Sequence, residues 1–140
     1  MSPYLIAALA GWVASQGAKY VIKVARTGSL GDYRQFYISG GMPSAHSATV
    51  VAMAMMIGLR DGVESGLFGL ATLFAGIVMY DAVMVRRSSG AQGLVLRKLL
   101  KETNSGIQAP KVAKGHEPLE VLAGAVIGAA IGYVVFLITI

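Results

Sequence analysis

Residues 119–140 read LEVLAGAVIGAAIGYVVFLITI, with a single charge, Glu120, near their start. As a helix this run is long enough to cross the ~30 Å hydrocarbon core of a bilayer, which takes ~20 residues. Three more stretches carry few or no charges: Pro3–Ile22, Pro43–Leu59 and Gly66–Val85. The second is the shortest, and spans only if it stands upright or has its ends covered by protein. No segment alternates like a strand over a useful length, and backbone that crosses lipid must be helical or a closed barrel. The sequence therefore predicts an all-α membrane bundle of about four transmembrane helices, one domain over residues 1–140.

Composition agrees. Apolar residues make up 55% of the 140 residues and charged residues 14%, against about 25% charged in soluble domains. That excludes an ordinary soluble domain, and it excludes disorder, which needs low hydrophobicity and high charge. The absence of cysteine rules out disulfides, iron–sulfur clusters and Cys-ligated zinc. Two histidines are too few for an all-His metal site. The net charge of +5 points to membrane lipids or an anionic substrate, and not to nucleic acid.

The charges divide by side. The connection after the second stretch holds Arg60, Asp61 and Glu64. The other basic residues are Lys19, Lys23, Arg26, Arg34, Arg86, Arg87, Arg97, Lys98, Lys101, Lys111 and Lys114. With four spans these emerge on one face, and the positive-inside rule makes that face cytoplasmic with both termini opposite. Ala8-Leu9-Ala10 looks like a signal-cleavage site, but no basic residue precedes it and the apolar run continues past it.

Leu94–Glu102 sets Leu96, Leu99 and Leu100 on one face and Arg97, Lys98 and Lys101 mostly elsewhere. That suits a short helix on the membrane surface or a solvated helix capping the bundle. Gly124, Gly128 and Gly132 recur at the spacing that lets two helices approach closely. The partner is another helix of the same chain or the same seam in a homodimer.

Four groups carry chemistry. In the first, Gln16, Lys19, Lys23 and Arg26 share one helix face if the first helix continues that far. They line a cavity or are cations snorkelling at a helix end, and spacing alone favours snorkelling. The second is Ser39-Gly40-Gly41-Met42-Pro43-Ser44-Ala45-His46-Ser47. Its glycines let backbone approach a ligand, and Pro43 suits the first helical position. The free N–H groups beyond, with the Ser44 hydroxyl, suit an anion.

The third runs from Tyr80 to Gln92. Arg86 and Arg87 can fork phosphate oxygens, or merely anchor the helix with Asp81 as counter-ion. The fourth is Gly115-His116-Glu117-Pro118-Leu119-Glu120-Val121. Glu120 lies four residues after His116, where its carboxylate can fix the imidazole tautomer and leave the other nitrogen as base or nucleophile. A competing role for Glu120 is the third position of a capping box. All four groups fall on one predicted membrane face. Together they suit phosphoryl transfer through a phosphohistidine, with no metal required.

These motifs resemble the divergent PAP2 family, small membrane proteins related to acid phosphatases and vanadium-dependent haloperoxidases. The residues that carry the resemblance are Pro43-Ser44-Ala45-His46, Asp81 through Arg87, and Gly115-His116-x-Pro118-x-Glu120-Val121. Lys19 and Arg26 match the spacing of a further motif, with Thr27 where Pro is usual. Ala45 stands where the wider superfamily has Gly, and Glu120 where it has Asp. Met84 and Glu117 depart from the Gly and Thr usual in the divergent branch.

The resemblance implies a membrane lipid-phosphate phosphatase acting on a monoester or diphosphate of isoprenoid or phospholipid type. It implies His116 as nucleophile, Glu120 as its orienting carboxylate and His46 as proton donor. Phosphate would be held by Lys19, Arg26, Ser44 and Arg86 or Arg87, with Asp81 and Gly41 in support. No cofactor is implied, and phosphate, vanadate or tungstate would fit the site. Three other readings compete: a non-catalytic module binding anionic lipid or a protein, a small transporter, and a divalent cation held by Glu120, Asp81 and Glu117.

Overall fold

The computed structural model describes residues 2–28, 41–110, 112 and 115–139. Ser39 and Gly40 of the second group, and the basic residues Arg34, Lys111 and Lys114, lie outside the described residues. Five helices follow in order: α1 (Pro3–Thr27), α2 (Ala45–Asp61), α3 (Gly66–Val83), α4 (Val85–Glu102) and α5 (Pro118–Thr139).

Local signals set the boundaries. Pro3 and Pro118 open α1 and α5, where a missing N–H costs nothing. Gly28 ends α1 at φ +66°, a left-handed conformation that favours glycine, and its N–H returns to Val24 O at 2.8 Å. Ser65 caps α3 by accepting from Phe68 N–H at 3.2 Å. Pro43 does not take the first helical position of α2 as its sequence suggests. Ser44 is the N-cap, and Pro43 stands before it across a cis peptide bond from Met42.

α2 is the central helix, packed by α1, α3 and α5. It runs parallel to α5 in a tight register, with Gly124, Gly128 and Gly132 against the backbone of Ser44, Ala48 and Ala52. A Cβ at Gly132 would lie 2.6 Å from Ala52 O, inside van der Waals contact. α1 crosses antiparallel, with Gly11 against Ala48 and Ala52. Small residues thus let three backbones meet at Ala48. Of the two partners the glycine spacing allows, another helix of the same chain or a second copy, α2 of the same chain fills the seam. At the far end Tyr4 OH donates to Asp61 Oδ1 at 2.7 Å and Arg60 Nη1 to Thr139 O at 3.3 Å.

Three helical runs are long and apolar enough to cross a membrane: Pro3–Thr27, Gly66–Glu102 and Pro118–Thr139. α2, at 17 residues, rises only about 25 Å, and its neighbours cover it. Leu70, Leu73, Phe74 and Ile77 of α3 are exposed, as a lipid-facing helix requires.

The surface helix expected over Leu94–Glu102 is longer than its leucine spacing indicates. It starts at Val85, directly after α3, and takes Arg86 and Arg87 into its first turn. Only Met84 separates the two helices, itself in the right-handed helical region. The chain then turns back along α4. Arg97 Nε donates to Pro110 O at 2.9 Å. Val112 packs on Gly93, and Gly115 on the backbone of Arg87. This returning segment delivers His116 to the bundle.

Candidate active site

The starts of α2 and α5 and the end of α3 converge beside the middle of α1. Ser44 N–H donates to Glu120 O at 2.9 Å, which joins the starts of α2 and α5. His116 N–H donates to Ala82 O at 3.0 Å, which joins the segment before α5 to the end of α3. Ser15 Oγ donates to Pro43 O at 3.3 Å and brings α1 alongside.

His116 is 1% exposed. Its Nδ1 donates to Glu120 Oε2 at 2.8 Å. The same oxygen accepts from Glu117 N–H at 3.3 Å. Both roles read for Glu120 are therefore realised at once: it closes a capping box at the start of α5 and it orients the histidine. With Nδ1 protonated and held, the Nε2 lone pair of the neutral ring is left for chemistry.

The two arginines separate. Arg86 Nε donates to Asp81 Oδ2 at 2.8 Å, which makes Asp81 the counter-ion of Arg86. Arg87 has no ion pair or side-chain hydrogen bond among the described residues. It lines a cavity of about 490 Å³ together with His116, Gly115, Glu117, Gly90, Ala91, Leu94, Arg97 and Val112. An unpaired guanidinium beside a buried imidazole is an arrangement whose chemistry suits an anionic ligand.

His46, exposed at the start of α2, lies within electrostatic reach of Arg86, His116, Lys19 and Asp81. Lys19, partly buried, lies within reach of Glu120. The polar stripe of α1 thus divides along its length. Gln16 is buried, Lys19 and Lys23 are partly so, and Arg26 is exposed in the last turn. Arg26 sits about 10 Å beyond Lys19 by helical rise, and no contact among the described residues brings it to His116.

Ser44 is wholly buried. Its N–H is taken by Glu120, and its Oγ accepts from Ser47 Oγ at 3.0 Å and Ser47 N–H at 3.4 Å. Only its hydroxyl proton is left for a ligand, so its place in the site is chiefly to hold α2 against α5. Gly41 adopts φ +84°, a left-handed conformation open to glycine. Among the described residues no group of three or more His, Asp or Glu side chains is placed to hold a metal ion.

One contributor escaped the sequence reading, and one residue of its motifs gains a role there only from the structure. Arg97 lines the same cavity as His116, although its spacing suggests only a basic surface. Gly115 lets the returning chain touch the backbone of Arg87, where a Cβ would lie 2.5 Å from the Arg87 backbone. A glycine directly before the histidine was the available signal.

The fold and site define a small integral membrane protein with a histidine–carboxylate pair beside a cationic cavity at one end of its bundle. A model of the divergent PAP2 family matches residues 1–131, and the chain belongs to that family. It is also 34% identical to the uncharacterized membrane protein YuiD of Bacillus subtilis (strain 168). That match runs over 139 residues, 89% of this chain and 87% of the relative. No solved structure matches this chain.

Proposed function

We propose that this protein is a lipid-phosphate phosphatase that works through a phosphohistidine. The observation that carries the reading is the buried His116, oriented by Glu120 and facing a cavity that also holds the unpaired Arg87. His116 Nε2 attacks phosphorus and the ester P–O bond breaks. His46, as imidazolium, gives its proton to the departing oxygen. A water, deprotonated by His46, then attacks phosphorus and releases phosphate and a neutral His116.

Arg87 and Lys19 stabilise the equatorial oxygens, where preorganised donors act most strongly. Arg86, already paired with Asp81, supports the electrostatics around His46. A membrane-embedded bundle with its site at the helix ends supports a lipid substrate, whose headgroup sits at that depth. Isoprenyl and phospholipid phosphates are both in range. The surplus of cations on this end supports a cytoplasmic site.

The test is phosphate release by the purified protein in micelles, from an isoprenyl phosphate, an isoprenyl diphosphate, phosphatidate and phosphatidylglycerophosphate. Release abolished by both His116→Ala and His46→Ala is the expected result. No release from any of them, with fold and vanadate binding intact, would replace this reading with a non-catalytic module that binds anionic lipid.

A further inference from the structure

The cavity beside His116 is larger than one phosphate requires. At about 490 Å³ it has room for roughly 16 waters at ~30 Å³ each. Its α4 wall is Arg87, Gly90, Ala91, Leu94 and Arg97, one stripe of the helix at i, i+3, i+4, i+7 and i+10. Facing it are Val112, Gly115, His116 and Glu117. Arg97 sits about 15 Å further along the axis than Arg87. Leu94, Ala91 and Val112 make the middle apolar.

The charges along this cavity are ordered. Arg87 and His116 stand at one end with Glu117, and no other carboxylate lines it among the described residues. Arg97 stands at the other end, its Nε fixed on Pro110 O. That bond leaves its two terminal nitrogens to donate. No carboxylate pairs with Arg97 among the described residues, whereas the neighbouring Lys98 faces Glu102 at 3.8 Å.

From this geometry we infer that the substrate carries a second anionic group, separated from the reacting phosphate by a short spacer, and that Arg97 is its ligand. The inference rests on the proposed phosphate site at His116 and Arg87. A diphosphate does not meet the requirement. Its second phosphorus is one bridging oxygen away and stays at the Glu117 end. Arg97 is reached by a phosphate or carboxylate several bonds further on, with the apolar middle covering the spacer. The forked guanidinium suits either anion. The ligand class is thus a spaced bisphosphate or its phosphate–carboxylate equivalent, as a lipid headgroup or a soluble metabolite.

The test measures equilibrium binding of butanediol bisphosphate and butanediol monophosphate to the whole protein in micelles, with propanediol and hexanediol bisphosphates to vary the spacing. Two equal phosphates alone give the bisphosphate a twofold statistical advantage. One further charge-assisted contact should raise the ratio to about tenfold. Arg97→Gln should return it to about twofold, while Lys98→Gln leaves it unchanged. A purely structural Arg97, holding the returning chain through Pro110, would weaken both ligands equally, and that result overturns the proposal. So does a twofold ratio in the unsubstituted protein.

If the ratio holds but no phosphate ester is hydrolysed, the phosphatase reading falls and the second subsite stands. Hydrolysis with a twofold ratio means the reverse. Arg97-dependent preference for phosphatidylglycerophosphate over phosphatidate would assign the second anion to a lipid headgroup. The same preference seen only among the diol phosphates would assign it to a soluble source.

Discussion

The backbone N–H of Ser44 donates to the backbone carbonyl of Glu120 at 2.9 Å, so the starts of α2 and α5 are one joint. The side chain of the same glutamate holds His116 at 2.8 Å. The position of His116 is therefore fixed by the residue that registers the two central helices.

Glu120→Gln should separate these roles. The backbone contact and the helix register survive, so thermal unfolding in detergent should shift by less than about 1 kcal/mol in stability. The amide no longer stabilises a charged or tautomerically fixed imidazole, and kcat should fall by about 10²–10⁴. Paired turnover and unfolding measurements on one preparation check this. A large loss of stability would make Glu120 structural alone.

Arg87 and Arg86 should differ. Arg87→Ala removes the unpaired cation beside His116 and should cost about 10²–10³ in kcat, the scale of losing one preorganised donor. Lys101→Ala, on the exposed end of α4, should stay within about twofold. Arg86→Ala unpairs Asp81 at the edge of the bundle and should weaken stability as well as turnover. Initial rates and melting curves on the three variants decide the ordering.

Vanadate should stabilise the fold. At a concentration 100 times its dissociation constant, a ligand that binds only the native state adds about 2.7 kcal/mol. A thermal-shift titration in detergent should show a rise that saturates with vanadate. The rise should shrink in Arg87→Ala and persist in Lys101→Ala. An identical rise in both variants would place the anion away from the cavity.

Two glycine substitutions should have opposite signs. A side chain at Gly128 meets the backbone of Ala48, which cannot retreat, so Gly128→Val should cost about 1–3 kcal/mol or more. Gly76 of α3 faces open space, so Gly76→Ala should gain up to about 1 kcal/mol of helix propensity. Unfolding in detergent reads both.

The absence of native cysteine makes topology directly testable. Val63 lies in the short α2–α3 connection and Gln108 in the segment returning along α4. With the site cytoplasmic, a membrane-impermeant maleimide on intact expressing cells should label Val63→Cys and spare Gln108→Cys. The opposite pattern would invert the orientation.

Much of this molecule was legible along the chain because the deciding information is local. Apolar run lengths identify α1, α3 and α5, and Ser, Pro and Gly mark their ends. The step from His116 to Glu120 is a local contact across the start of α5, so the sequence could present that pair as hydrogen-bonded. Charge asymmetry between connections likewise needs no contact map. Tertiary structure decided what depends on distant backbones meeting. It filled the Gly124, Gly128 and Gly132 seam with α2, gave Asp81 to Arg86, and left Arg87 facing His116. It also left Arg26 exposed in the last turn of α1, and set Val112 and Gly115 against α4 so that Arg97 shares a cavity with His116. The physical reason is that helix periodicity sets which residues share a face, whereas packing between helices sets what that face meets.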